Sequence, residues 1–283
     1  MTSIRRILLI IGLCSASICH AQTYEQLIEH GLSAAAADSL EVAEACFKEA
    51  LRKSPNDYRN SLVFTNLGRV QEARYWQNPA DKKLADDALE SYTVALSLTP
   101  EAVPMLEARG DFLLKLQLYE RAVRDFSAAL DFAPKNKDIR LHRAYSYFQI
   151  RLYGESRADY DKVLESDATN YAALLGLALI CQQTDHKTEA IERMNHLVEL
   201  YPDSTELYAV RADIYMESRQ EDLALLDLDH AISLEADNPR YILARAYLHK
   251  QMGNKRLALN DFNRAIELGI PESSLRNDMK ACR

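Results

Sequence analysis

One glycine separates an arginine from an aspartate in a short motif of this chain, Arg109-Gly110-Asp111. In an exported protein this tripeptide can act as an adhesion signal, which requires an exposed turn. The alternative is a structural role, with Arg109 and Gly110 in the middle of a helix. The elements that carry the motif decide between the two interpretations.

The sequence contains none of the common catalytic or cofactor-binding motifs. It has no P-loop, G-x-G-x-x-G, G-x-S-x-G, H-E-x-x-H or C-x-x-C. His186 and His196 lie ten residues apart, which is not metal-ligand spacing, and one helix cannot converge Asp227, Asp229 and His230 on a metal. We therefore expect no enzymatic activity, no cofactor and no metal. An enzyme whose site is assembled across distant parts of the chain is the alternative.

Residues 1–21 carry the pattern of a secretory signal peptide. Arg5 and Arg6 precede an apolar stretch at 7–18, and Ala21 supplies the small residue of a cleavage site. An uncleaved anchor and a lipoprotein are the alternatives, the latter disfavoured by the large residues before both cysteines of this segment. We expect an exported protein, periplasmic or secreted after cleavage near Ala21, with no later membrane segment.

The charge balance argues against nucleic acid and anionic lipid as partners. The chain has 34 Lys and Arg against 42 Asp and Glu, and removal of residues 1–21 leaves 32 basic residues and a net charge of about -10. An acidic surface repels phosphate groups. Cys46, Cys181 and Cys282 remain, an odd and scattered set that is not a disulfide framework. Cys282 is either a free thiol or a link between chains.

One segment recurs with a period of 34 residues. The sequence AVRDFSAALDFAP at 122–134 matches ALESYTVALSLTP at 88–100 in an alanine, an aromatic four residues on, a second alanine and a proline. The period and this pattern resemble the tetratricopeptide repeat, a helix–turn–helix unit. Seven units follow, at 24–57, 61–102, 103–136, 137–170, 171–204, 205–238 and 239–272.

The resemblance implies an all-α, right-handed solenoid over residues 22–272, ending in a short capping helix at 273–283. Small residues at the eighth position of each first helix agree with it, because two helices approach closely only where both present small side chains. A large residue of each second helix is expected to fill the space between neighbouring units. The eighth-position residues are Gly31, Gly68, Gly110, Ala144, Ala178, Ala212 and Ala246.

An arginine at the seventh position of a repeat varies together with an aspartate at the twenty-third. Where the arginine is missing the aspartate is missing too, as in the repeat that carries Leu177 and Arg193. The pattern predicts an architectural bridge between the two helices of one repeat, with independent solvated charges as the alternative. The predicted pairs are Arg109 with Asp125, Arg143 with Asp159, Arg211 with Asp227, and Arg245 with Asp261.

The second repeat contains an insertion, and its hairpin is predicted to be longer than the others. Asn78 and Pro79 have the pattern of a helix N-cap and first helical residue. The only tryptophan, Trp76, lies nearby and is a candidate contact site on a protruding tip. The alternative is that Trp76 folds back onto its own hairpin.

The resemblance also implies a concave groove lined by the first helices, where family members hold an extended peptide or a partner helix. Asp111 and Asp213 flank the matching positions, so an apolar partner segment with basic residues would fit. The alternative is that these side chains pack within the solenoid. The residues differ from the basic set that clamps acidic chaperone tails. The candidate partner-binding residues in the groove are Leu141, Tyr145, Phe148, Leu175, Leu179 and Tyr247.

We therefore expect a non-enzymatic scaffold of the cell envelope that binds a protein or peptide segment in its groove. The alternative is a structural subunit that self-associates in an envelope assembly. The sequence does not specify the partner.

Overall fold

The computed structural model describes residues 22–282, and these residues form fifteen helices and no strand. The predicted signal peptide at 1–21 lies outside the described residues, as does Arg283. Within the described part of the chain, no helix is long and apolar enough to cross a membrane. Two compact units divide the fold, residues 1–152 and 153–283.

Unit 1 contains seven described helices and unit 2 contains eight. Those of unit 1 are α1 (Tyr24–Ala36), α2 (Leu40–Lys53), α3 (Asn60–Gln77), α4 (Lys82–Leu98), α5 (Val103–Lys115), α6 (Tyr119–Phe132) and α7 (Lys137–Gln149). Those of unit 2 are α8 (Tyr153–Leu164), α9 (Tyr171–Gln183), α10 (Lys187–Leu200), α11 (Thr205–Glu217), α12 (Glu221–Leu234), α13 (Pro239–Gln251), α14 (Lys255–Glu267) and α15 (Glu272–Ala281).

Each helix packs against its neighbour in sequence within its unit. In unit 1 the first helices of successive repeats also touch one another, so α1, α3, α5 and α7 form a continuous layer. We call the exposed side of this layer the first-helix face. The second helices α2, α4 and α6 form the opposite layer.

In six repeats, one residue of the turn between the two helices has a positive φ angle, in the left-handed region. At the third repeat this residue is Gln117, and the amide of Leu118 then donates to the carbonyl of Leu113 at 2.8 Å. Such a bond satisfies one of the carbonyls left free at a helix end. Five of the six positions hold a residue other than glycine, namely Asp38, Gln117, Arg151, Asp185 and Arg219, and the sixth holds Gly253.

Gly110 shows why the eighth position is small. A Cβ atom at Gly110 would lie 2.6 Å from Cε1 of Phe126, which belongs to the second helix of the same repeat. The sequence predicted that this ring fills the space between neighbouring units, and the structure places it against the glycine of its own repeat as well. Its other neighbours include Ile139 of the next repeat.

The helices of the second repeat are longer than those of its neighbours, with 18 and 17 residues in α3 and α4. The prediction that Asn78 is an N-cap was wrong. Asn78 is the C-cap of α3, and Asp81 caps α4 by accepting a hydrogen bond from the amide of Lys83 at 3.2 Å. Both residue types favour helix caps, and the aspartate three residues later starts the helix.

At the other end of the chain α15 packs on α14. Leu275 and Met279 are buried in a cluster with Phe262, and the thiol of Cys282 is free and buried beside them. Cys46 and Cys181 are also buried, and neither forms a disulfide with a described residue.

Candidate protein-binding surface

Three arginine–aspartate pairs join the two helices of one repeat. Arg109 donates from Nε and Nη2 to the two carboxylate oxygens of Asp125, each at 2.7 Å. The same two-pronged contact joins Arg211 to Asp227 and Arg245 to Asp261, with distances of 2.6 to 2.8 Å. We call these three pairs the arginine joints. The bond to the carboxylate raises the pKa of Arg211 and of Arg245 above the usual range.

These three arginines, and Arg143, also bind the preceding repeat through Nη1. Nη1 of Arg109 donates to Oγ1 of Thr93 at 3.1 Å, and Arg143 makes the equivalent bond to Oγ of Ser127 at 3.1 Å. In unit 2 the acceptors are Asn195 for Arg211 and Asp229 for Arg245. Sequence reasoning missed this contact, although a polar side chain recurs sixteen residues before each arginine. An arginine therefore links two helices of one repeat and the repeat before it.

In the fourth predicted pair, Arg143 belongs to unit 1 and Asp159 to unit 2. Their pairing stays a prediction. Two repeats without the pair use other contacts. In the first repeat, Nδ1 of His30 lies 3.6 Å from Sγ of Cys46 at the equivalent positions. In the fifth, Arg193 turns to Glu189 on its own helix at 2.7 Å.

The Arg-Gly-Asp motif lies in the middle of α5, which runs from Val103 to Lys115. Arg109 is held by Asp125, and the ring of Phe126 covers Gly110. Asp111 faces His142 of α7, with 2.8 Å between Oδ1 and Nδ1. This arrangement leaves no exposed turn for an adhesion signal.

Two clefts open on the first-helix face, one on each side of α3. The larger has a volume of about 490 Å³ and lies between α3 and the start of α5. The smaller, about 230 Å³, lies between α1 and α3. Asn66 and Arg69 line both clefts. The larger cleft is also lined by Tyr58, Arg59, Ser61, Leu62, Thr65, Thr99, Ala102, Pro104 and Met105.

Exposed apolar side chains stand at the mouth of the larger cleft. Tyr58 is 88% exposed and Leu62 is 58% exposed. Because these two side chains lie beside the same cleft, they make it a candidate contact surface. Sequence reasoning placed the groove residues in later repeats and missed Tyr58 and Leu62, although Thr65 and Arg69 occupy the same repeat positions as Leu141 and Tyr145.

Charged groups continue along the face beyond the larger cleft. Arg69 is exposed and makes no hydrogen bond or ion pair with the described residues, while Glu107 and Asp111 follow on α5. Burial, with the nearby charge of Asp111, raises the pKa of Glu107. The contact with Asp111 raises the pKa of His142.

The predicted groove residues are distributed over both units. In unit 1, Tyr145 is exposed, with its ring 6.3 Å from that of Tyr119, while Leu141 and Phe148 are half-buried. In unit 2, Leu175 packs against the cluster around Met194, and Leu179 is half-buried. Whether these residues act together in binding stays a prediction.

Other predicted groove residues in unit 2 have contacts of their own. Tyr247 packs edge-on against Phe262, with 5.2 Å between ring centroids, and its hydroxyl donates to Asp278 of α15 at 3.3 Å. The surrounding protein raises the pKa of Asp213, although its side chain is solvent-accessible.

Trp76 lies on the last turn of α3 and is 43% exposed. Its ring packs edge-on against Tyr75 and Phe112, with centroid distances of 4.9 and 6.3 Å, and its Nε1 donates to Glu72 at 3.4 Å. The side chain is therefore packed on one side and open on the other. Trp76 follows Arg69 by two helical turns, so both lie on the same side of α3.

No group of three metal-ligating side chains comes together among residues 22–282. Asp227 and Asp229 are bound by arginines, and the ring of His230 lies 4.2 Å from that of Tyr208. Nδ1 of His186 lies 2.9 Å from the hydroxyl of Thr184.

Three sequence models of the tetratricopeptide repeat match residues 82–137, 151–214 and 239–268. The chain belongs to the tetratricopeptide repeat (TPR) family. The helix pairs described above are therefore TPR hairpins, and the arginine joints are features of individual TPR units.

Solved structures agree with this family. A TPR protein from Parabacteroides merdae is similar to this chain with a TM-score of 0.72 and 27% identity, covering 93% of this chain and 99% of that one. YrrB, a TPR protein with an unusual peptide-binding site, has a TM-score of 0.52 and 17% identity, covering 70% of this chain and 97% of YrrB. At that identity the likeness to YrrB shows the fold alone.

The curated relatives are much longer proteins. The Protein CTR9 homolog of Arabidopsis thaliana is 28% identical over 127 residues, which is 41% of this chain and 11% of that protein. The likeness therefore covers only about a tenth of the relative's length.

Proposed function

We propose that this TPR protein is a non-enzymatic scaffold of the cell envelope that holds a segment of a partner protein on its first-helix face. The observation that carries the proposal is the larger cleft beside α3, with Tyr58 and Leu62 exposed at its mouth. Burial of apolar surface drives most protein association, and an open cleft allows it without rearrangement of the fold. The peptide-binding site of YrrB, a protein of the same fold, supports this proposal.

The envelope location rests on the signal-peptide pattern of residues 1–21. Intact mass measurement of the protein recovered from a periplasmic fraction tests it. A mass that corresponds to cleavage after Ala21 supports export, whereas a full-length protein in the cytoplasmic fraction contradicts it.

The binding surface is tested by crosslinking capture from cell envelopes with the wild-type protein and two variants. Leu62→Glu places a charge at the mouth of the larger cleft. Leu98→Glu is the matched control, because Leu98 is 54% exposed on α4, in the layer of second helices. We expect Leu62→Glu to lose the captured partner and Leu98→Glu to retain it. Equal capture by both variants contradicts the assignment of the face.

Self-association in an envelope assembly is the second candidate, favoured by two exposed leucines on α12. Leu223 is 41% exposed and Leu226 is 64% exposed, one helical turn apart. Light scattering of the purified protein tests this candidate. A defined oligomer that dissociates in Leu226→Glu supports it, and a monomer at micromolar concentration excludes it.

A further inference from the structure

The charges along the first-helix face are unbalanced. Arg59 and Arg69 both line the larger cleft, but Arg59 is paired with Asp57 and Glu25, whereas Arg69 has no ion pair with the described residues. Beyond the cleft, α5 and α7 add the carboxylates of Glu107, Asp111 and Asp138. Complementary charge selects partners and fixes their register more than it adds affinity. The imbalance favours a partner segment with a positive charge.

Glu107 and Asp111 lie one turn apart on α5, and the charge of Asp111 disfavours ionisation of Glu107. Glu107 forms no hydrogen bond or ion pair with another described residue, and its pKa is raised by burial and by the charge of Asp111. A lysine or arginine placed between the two carboxylates would relieve this repulsion, because an opposite charge within about 4–6 Å stabilises an ionised carboxylate.

His142 now occupies the position where such a cation would act. Its Nδ1 lies 2.8 Å from Oδ1 of Asp111, and the ring of Phe126 on α6 packs beside it at 5.6 Å between centroids. The charged groups that act on His142 from α5 are Asp111 and Glu107, and from its own helix Asp138. Protonated, His142 supplies a positive charge to Asp111. Neutral, it leaves Asp111 without an ion pair among the described residues, and Arg69 is then the cation that acts on Glu107.

The cleft and the carboxylates lie on one helix, at a distance that a short peptide can span. Pro104 lines the larger cleft, and Asp111 follows it by seven residues, or about 10 Å along α5. An extended chain covers this distance in about three residues. An apolar side chain in the cleft and a cation at the carboxylates would therefore belong to one short segment.

We propose that the segment held on the first-helix face carries an apolar side chain, which enters the larger cleft, and a lysine or arginine about three residues away. This cation binds Glu107 and Asp111, where it competes with protonated His142. This inference rests on the proposed function and names the partner chemistry and its regulation. Binding of such a segment strengthens as the pH rises and His142 loses its proton. By thermodynamic reciprocity, the bound cation lowers the pKa of His142.

Selection from a random ten-residue peptide library against the purified protein at pH 8 tests the inference. The most enriched peptide is synthesised with a fluorophore, and its Kd is measured by anisotropy at pH 8 and pH 5.5. We expect an apolar and cationic peptide that binds about fivefold more weakly at pH 5.5, the effect of one exposed charge pair. His142→Gln is expected to abolish the pH dependence.

Variants of single carboxylates locate the cation. Glu107→Gln is expected to weaken binding about fivefold, whereas Glu120→Gln on α6 in the second-helix layer leaves the Kd unchanged. NMR titration of the histidine ring signals, assigned with His142→Gln, follows the pKa of His142 with and without peptide. A lower pKa in the complex is expected, and a structural role alone would not change it.

The outcomes separate the two proposals. Enriched peptides that Leu62→Glu no longer binds, but that are anionic or indifferent to pH, overturn this inference and leave the proposed function intact. If Leu62→Glu binds every enriched peptide as the wild type does, or if no peptide is enriched, both the docking face and this inference are wrong.

Discussion

Arg109 and Arg69 are both arginines of first helices in unit 1, two repeat positions apart, and they differ in every contact. Arg109 occupies the seventh position, largely buried, and is held by Asp125 and Thr93. Arg69 occupies the ninth, exposed between two clefts, and makes no ion pair with the described residues. The position within the repeat, not the residue type, therefore separates framework from contact surface.

Loss of the arginine joint between Arg109 and Asp125 should destabilise the protein most. Asp125→Ala leaves the guanidinium of Arg109 largely buried without its carboxylate, and removal of one partner of a buried pair costs about 3 kcal/mol. We expect a clear fall in the free energy of unfolding, measured by urea denaturation. Asp229→Ala is the control, because that carboxylate is 51% exposed and its loss is expected to cost less than about 1 kcal/mol. Equal effects would contradict a special role for the joint.

Replacement of both partners tests whether the cost of Asp125→Ala comes from the unpaired charge of Arg109. The second repeat has Leu67 and Ser91 where the third has Arg109 and Asp125. The double variant Arg109→Leu with Asp125→Ser leaves no unpaired charge, so we expect it to recover most of the stability lost in Asp125→Ala. A double variant as unstable as Asp125→Ala would show that the pair contributes more than mutual neutralisation.

Gly110→Ala tests the packing of the same helix pair. The new Cβ would lie 2.6 Å from the ring of Phe126, and such overpacking typically costs about 1–3 kcal/mol. Gly154→Ala on α8 has no atom within 4 Å of its new Cβ, and we expect unchanged or slightly higher stability. Thermal melting of both variants measures the difference, and equal melting temperatures would refute the close approach at Gly110.

The smallest effects belong to the first-helix face. The contact with Asp111 raises the pKa of His142 in the folded state, so the pair stabilises the protein below the unfolded pKa of about 6.5. This stabilisation is lost as the pH rises through the folded pKa. We expect His142→Gln to be less stable than wild type at pH 5.5, by less than about 1 kcal/mol because the imidazole is half-exposed, and equal at pH 9. A difference that grows with pH would contradict this pairing.

Arg69→Ala should leave the free energy of unfolding within about 0.5 kcal/mol of wild type, because Arg69 is exposed and bound to no described residue. Denaturation in urea checks this expectation. A decrease in the free energy of unfolding as large as that of Asp125→Ala would show that Arg69 is part of the framework.

The framework was predictable because its physics repeats. The 34-residue period predicted the helical hairpins, since a small residue at the position of Gly110 and a large residue at the position of Phe126 recur from repeat to repeat. Covariation of arginine with aspartate inside one chain pointed to their pairing without knowledge of the fold. The hydrogen bond from Arg109 to Thr93 was not predicted. Serine, threonine, asparagine and aspartate can all accept such a bond, so no single residue type recurs at this position.

The binding surface was less predictable because it does not repeat. The repeat positions of Leu62, Glu107 and Tyr145 hold different residue types in different repeats. The exposure of each side chain also depends on which neighbouring residue covers it. Sequence analysis therefore favoured the aromatic residues of α7 and missed the larger cleft beside α3. The environment of Trp76 was not predictable from its own hairpin, because Phe112 of the next repeat packs against one side of its ring.

Site-specific photocrosslinking in living cells tests the docking surface most directly. A photoreactive amino acid replaces Leu62 on the first-helix face in one strain and Leu98 on α4 in another, two positions of similar exposure. The account predicts a crosslinked partner at position 62 and none at position 98. A partner crosslinked at position 98 and absent at position 62 would show that the first-helix face of unit 1 is not the binding surface.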